Sequence, residues 1–235
     1  MNNSEFFNVL KRSFEKYLET GARSNKKLEI LHGAISRDLY EKLKDKNDTN
    51  DHYSVASLGF GKEGKIAGRY IDKFVDITIY KNHEPIAGVA VKFVMGNYKQ
   101  NSNNYFENML GETVNIRCGN IPYFQIFIVP DSLPYFNKSG SITGWEQINA
   151  HDLKKYVALS KDNIDTYLHT PNKTLVSIIS ISPSAATNKI EYIEYYQNNH
   201  FSITASPKHF DFGAAIIYND YEMFIKKVVH TVLSQ

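Results

Sequence analysis

The stretch FVDITIYKNHEPIAGVAVKFV, residues 74–94, decides how the chain is read. It has the pattern of two short strands around a turn, with Asp76 on the first and Lys92 on the second. Alternate residues of a strand share a face. Phe74, Asp76, Thr78 and Tyr80 therefore share one face of the first strand, and Gly88, Ala90, Lys92 and Val94 share one face of the second. Both strands are apolar enough to be central. Asp76 and Lys92 can then lie side by side, where each alone is costly to desolvate. A structural salt bridge across the hairpin would account for the pair, as would a lysine that snorkels from an edge strand. So would a carboxylate that holds a divalent cation with a lysine beside it. Phosphodiester hydrolysis needs those parts: a metal to polarise phosphate and activate water, and a cation to offset transition-state charge.

Outward from the hairpin, apolar residues recur at helical spacing over 4–19 (Phe7, Leu10, Phe14) and 25–44 (Leu28, Leu31, Leu39). KDKNDTNDH, 44–52, reads as an exposed loop. The Gly-rich stretch 53–70 lacks the Gly-Lys-Ser/Thr ending and the preceding buried strand of a nucleotide loop. Strands are predicted at 73–80 and 86–95. The polar stretch GNYKQNSNN, 96–104, then leads into a helix at about 103–116. PYFQIFIVP, 122–130, is a compact apolar run between prolines and reads as a buried strand. A hairpin, a helix and another strand indicate a mixed sheet with a helical crossover. The second half is less regular: a turn with a short strand or helix start at 139–148, a polar-faced helix at 151–168, strands at 174–182 and 200–206, and an amphipathic C-terminal helix. The fold class expected is α/β, a mixed central sheet flanked by helices, in one domain over residues 1–235.

The chain has 235 residues, enough to bury a sizeable core, and a net charge of only +2, so a basic cleft for nucleic acid would have to be local. One cysteine, Cys118, excludes an intramolecular disulfide framework and suits a reducing compartment. The N-terminal segment is charged throughout and carries no secretory signal pattern. No apolar run approaches the ~18–20 residues that span a bilayer. A cytoplasmic protein without membrane contact is expected. The eight histidines show no spacing such as His-x-x-x-His, and there is no Gly-x-Ser-x-Gly.

An Asp on one strand, a hairpin, x-x-Lys on the next strand, then a helix and a strand resemble the PD-(D/E)XK nuclease fold. VDITIYKNHEPIAGVAVKFVMGNYKQNSNNYFENMLGETVNIR, 75–117, looks most like a type II restriction endonuclease, and the resemblance covers roughly residues 62–130. It implies a restriction-endonuclease-like core with Asp76 as a metal-binding acid and Lys92 as the motif lysine. Val75 stands where the motif proline would be, and Ala90 where a second acid would be. In some restriction enzymes of this fold that acid has moved to the following helix, which here offers Glu107 and Glu112. With Phe106, Leu110, Thr113/Val114 and Arg117 facing the sheet, Glu107 flanks the stripe and Glu112 points largely away. Glu107 is the expected ligand; its alternative is a capping box with Asn104. Glu63 and Gln125 are auxiliary candidates. Lys99, Gln100, Asn101, Ser102 and Asn103 are candidate DNA contacts. Lys173, Lys208 and His209, in loops beside strands, are others.

The resemblance implies an Mg²⁺-dependent endonuclease acting on double-stranded DNA, a homodimer matched to a palindromic site, and a cognate methyltransferase acting on the same site. Ala90 motivates a rival, a DNA-binding or repair protein on the same fold with an altered or inactive site. A second rival is an α/β interaction protein without enzymatic activity, in which Asp76 and Lys92 form a structural pair only.

Overall fold

The computed structural model describes residues 1–46 and 51–235, so part of the loop expected at 44–52 lies outside the described residues. In chain order the elements are α1 (Asn3–Thr20), α2 (Lys26–Asp45), β1 (Tyr53–Ser57), β2 (Gly64–Ile66), β3 (Lys73–Val75), β4 (Ile77–Lys81), β5 (Glu84–Phe93) and α3 (Tyr98–Arg117). Then follow β6 (Tyr123–Pro130), β7 (Ser132–Phe136), β8 (Ile142–Gln147), α4 (Ala150–Leu159) and β9 (Lys173–Ile181). α5 (Lys189–Asn198), β10 (Ile203–Ala205), β11 (Ile216–Tyr218) and α6 (Tyr221–Leu233) complete the chain.

The main sheet has seven strands in the order β1-β4-β5-β6-β9-β10, with β11 also beside β9. The hairpin at its centre closes on Asn82 and His83, both at positive φ, which matches the two-residue turn that antiparallel strands favour. β6 runs parallel to β5, and α3 is the crossover between them. β9 continues the parallel set beside β6. The sheet is therefore mixed, as the order of elements suggests.

Both faces are covered. Val89, Val91, Ile126 and Leu175 bury one face against α1, α2 and α6 through Leu10, Leu31, Leu39 and Val228. Phe127 and Val176 bury the other against Met109 of α3 and Tyr156 of α4. Alternation along β5 places Ala90 on that second face. Helices on both faces explain why β6 is buried along its whole length and reads as one apolar run.

Three expectations change. The strand predicted at 73–80 is split at Asp76: β3 pairs with β2 in a separate two-stranded ribbon, and β4 pairs with β1 and β5. The helix expected at about 103–116 starts earlier, at Tyr98, and takes in most of GNYKQNSNN; with the helix start there, Glu107 is mid-helix and cannot close a capping box with Asn104. The helix predicted at 151–168 ends at Leu159 and gives way to turns. α5 has no sequence counterpart in the expectations, because it buries only Tyr192 and Tyr196, one turn apart, and shows little amphipathic signal. Among the described residues no helix is long and apolar enough to cross a membrane.

Candidate active site

Asp76 sits at the break between β3 and β4. The β4–β5 ladder ends with the pair Ile77 and Val89. Two residues further along β5, the Val91 N–H has no strand partner on that side, and it donates to Asp76 Oδ2 at 2.7 Å. The irregularity of the backbone is thus what aims the carboxylate. Burial pushes the Asp76 carboxyl above the ordinary carboxylate range, against the pull of the Val91 N–H and of Lys73 and Lys92.

Asp76, Ala90, Lys92, Glu112 and Gln125 line one cavity of about 140 Å³ between α3 and the sheet. Ala90 and Gln125 are register partners on β5 and β6, and both line the cavity. Lys92 is exposed at this cavity, its Nζ 4.4 Å from the centroid of the Tyr105 ring on α3. Partial burial lowers its ammonium pKa, and Asp76 pulls it back up. Among the described residues no ion pair within 4.0 Å joins Asp76 to Lys92, so the pair is not a closed salt bridge across the hairpin.

The acid that α3 brings into this cavity is Glu112. Its Oε1 accepts the Tyr123 hydroxyl at 2.7 Å, and its Oε2 lies 3.8 Å from Lys73 Nζ. Burial raises its pKa, Tyr123 and Lys73 oppose the rise, and Asp76 adds to it. Glu107, expected to flank the sheet-facing stripe, is exposed in the neighbouring groove beside Ile71 and Lys73. The reason is the neighbour of α3. Phe106 packs edge-on against Tyr156 of α4, with ring centroids 5.1 Å apart, so the apolar stripe read from the sequence follows α4. The sheet-facing positions are Met109, Thr113 and Ile116, and Glu112 lies beside them.

Glu63 comes to the other side of Asp76. The loop Leu58–Lys62 presses on α2, where glycines allow backbone contact: a Cβ on Gly33 would lie 2.8 Å from the Gly59 carbonyl oxygen. Gly59 has φ +77°, and a Cβ there would overlap the Glu29 backbone. The Gly-rich stretch thus serves close packing of loop on helix. The Ser36 hydroxyl donates to Ser57 Oγ at 2.7 Å and fastens the same face of α2.

That face also carries His32, which the sequence did not single out. It is fully buried, and neither ring nitrogen has a hydrogen-bond partner. Its ligand atom and those of Glu63 and Asp76 all lie within 4.8 Å of one another. Burial holds the imidazole down at about 4, with Glu63 pulling upward. Burial raises Glu63, Asp76 raises it further, and His32 opposes the rise. Carboxylates crowded in this way are relieved by a divalent cation, and an orphaned buried nitrogen is uncommon unless something else fills the site. The donor set fits a dication, and the fit does not depend on a residue at position 90.

The expected DNA contacts separate into two groups. Lys99, Gln100, Asn101, Ser102 and Asn103 lie on the first turns of α3, where Lys99, Ser102 and Asn103 line a separate groove against α4. Lys99 Nζ is 3.8 Å from Asp152, and Asn103 Oδ1 accepts Lys155 Nζ at 3.0 Å. Lys173 donates to the Ala214 carbonyl at 2.8 Å, and Lys208 to the Ile148 carbonyl at 2.7 Å. Lys173, expected in a loop, is the first residue of β9 and ties the Ala214 segment to the sheet, whereas Lys208 ties its own loop to the connection after β8. His209 is exposed beside Lys208.

Comparison with protein-family models, with curated proteins and with solved structures gives no match. The chemistry of the chain has to be read from these side chains.

Proposed function

We propose that the protein is a divalent-metal-dependent endonuclease that hydrolyses phosphodiester bonds of double-stranded DNA at a specific sequence, in the manner of a type II restriction enzyme. The observation that carries this is the convergence of Asp76, Glu112, Lys92 and Gln125 on one cavity, with Glu63 on the far side of Asp76. Asp76 and Glu63 would hold the cation, which is Mg²⁺ in the resembling enzymes; Glu112 replaces Glu107 as the helix-borne acid. When bound, the cation supplies Lewis-acid polarisation of the phosphate and lowers the pKa of its water. Lys92 orients the attacking water and offsets the charge on the phosphoryl oxygens. Gln125 donates to the water or to a phosphate oxygen. Tyr123 holds Glu112 in place. Water attacks in line and leaves 5′-phosphate and 3′-hydroxyl ends. A palindromic site would call for a homodimer and for a methyltransferase that protects the same sequence.

Paired variants test the assignment of the acids on long duplex DNA with Mg²⁺. Glu112→Gln is expected to lose at least about 100-fold in cleavage rate, the scale of one catalytic electrostatic contact, while Glu107→Gln keeps wild-type activity. Loss in Glu107→Gln with Glu112→Gln unaffected would reverse the assignment. Intact DNA that is nevertheless retarded in a gel would favour the binding-only protein.

A further inference from the structure

We propose that His32 donates a ring nitrogen to the same cation as Asp76 and Glu63, and that this mixed donor set favours Mn²⁺ over Mg²⁺. The inference rests on the endonuclease reading and specifies its metal centre.

Geometry carries it. Bonds of about 2.1 Å place cis donors about 3 Å apart and trans donors about 4.2 Å apart around one ion. The donor atoms of His32, Glu63 and Asp76 already lie within 4.8 Å of one another. They come from three separate elements: α2, the loop before β2, and the β3–β4 break. The contacts of Gly33 with Gly59 and of Ser36 with Ser57 fix the helix against the loop. The helix and the loop are therefore brought together without an ion, and the three donors close in further when one binds.

His32 is the independent observation. A buried polar atom nearly always has a partner, because leaving it bare forfeits about 1–3 kcal/mol. Both His32 nitrogens are bare, and the residue is 0% exposed. A cation between His32 and the two carboxylates satisfies one nitrogen. The competing use of that nitrogen is a hydrogen bond to Glu63 after a small rotation, which leaves an all-oxygen site.

The donor type then sets the preference. Mg²⁺ is hard, insists on oxygen and keeps most of its water. Imidazole raises the affinity of first-row transition metals more than that of Mg²⁺, and carboxylates suit Mn²⁺ as well. Of the dications that accept both donor types, Mn²⁺ also tolerates the water-rich coordination that phosphoryl chemistry needs.

The test is Mn²⁺ titration of the full chain followed by electron paramagnetic resonance, with pulsed measurements of nitrogen coupling. Wild-type protein is expected to show ¹⁴N modulation that changes to the ¹⁵N pattern after labelling with ¹⁵N-histidine. His32→Gln is expected to lose the modulation and to bind Mn²⁺ about tenfold more weakly, with Mg²⁺ affinity, read by competition, changed less than about threefold. If His32→Gln does not fold, His32→Asn takes its place, since the label marks all eight histidines and only a variant assigns the coupling to His32. Bound Mn²⁺ without nitrogen coupling, or no Mn²⁺ binding at millimolar concentration, overturns the assignment of His32. Cleavage assayed in parallel separates the two readings: Mg²⁺-dependent cleavage without nitrogen coupling sinks only the His32 ligand, and nitrogen coupling without cleavage in either metal sinks only the nuclease.

Discussion

Asp76→Asn should make the metal-free protein more stable while abolishing its chemistry. Asp76 and Glu63 present oxygens within 4.8 Å of each other. Two unit charges at that separation repel by about 1 kcal/mol in water and about 3.5 kcal/mol at an effective dielectric of ~20. Both residues retain partial solvent access, which favours the lower part of that range. Against the relief stand a weaker bond to the Val91 N–H, at about 0.5–1 kcal/mol, and lost attraction to Lys73 and Lys92. Asparagine keeps the acceptor and the volume. A net gain of about 1 kcal/mol is expected, which raises Tm by about 2–4 °C for a chain of this size. The assay is thermal and urea denaturation at pH 8 in EDTA, repeated with saturating dication. Metal at about 100 times its Kd stabilises wild type by about 2.7 kcal/mol and should stabilise the variant far less, so the order of stabilities reverses. A variant that is less stable than wild type in EDTA by more than about 1 kcal/mol, together with a wild type that ignores metal, would refute the picture of crowded acids awaiting a cation.

Lys92→Met should fold with stability within about 1 kcal/mol of wild type, since it loses the contact over Tyr105 and a screened attraction to Asp76 but no closed ion pair, and should lose cleavage; marked destabilisation in urea would return Lys92 to a structural role. Tyr123→Phe removes the 2.7 Å bond to Glu112 and should cost about 1.5–3 kcal/mol by denaturation, with a slower turnover. Lys208→Ala should destabilise the fold by about 1–2 kcal/mol yet leave the salt dependence of DNA binding unchanged, because its Nζ is spent on the Ile148 carbonyl; a shallower salt slope would make it a phosphate contact instead. Asn115→Ala should lower stability by about 2–3 kcal/mol, since the amide accepts the Tyr70 and Ile71 N–H groups and donates to the Ile71 carbonyl; an unchanged urea midpoint would show that the loop is held otherwise.

The central hairpin is legible in the alternation on either side of its turn, and the buried strand β6 in its unbroken apolar run between prolines. What the sequence hid depends on contacts made at a distance. The break at Asp76 does not disturb the alternation of 73–80, since both ribbon and sheet are extended; only pairing with β2 on one side and with β5 on the other reveals it. The phase of α3 cannot be read from Phe106, which answers to Tyr156 of α4 and not to the sheet, so Glu112 rather than Glu107 lies at the cavity. His32 carried no spacing signal, for its partners lie 31 and 44 residues away along the chain. A histidine on the same helical face as Gly33 and Ser36, in an otherwise leucine-rich helix, was the one available hint.

The most direct test is to incubate purified protein with long duplex DNA, with divalent metal and with EDTA, beside Asp76→Asn and Lys92→Ala. The expected result is a set of discrete fragments that require metal and vanish in both variants. Intact DNA under every condition with either metal, from a folded protein and on DNA from several sources, would contradict the assignment of Asp76 and Lys92 to phosphodiester hydrolysis.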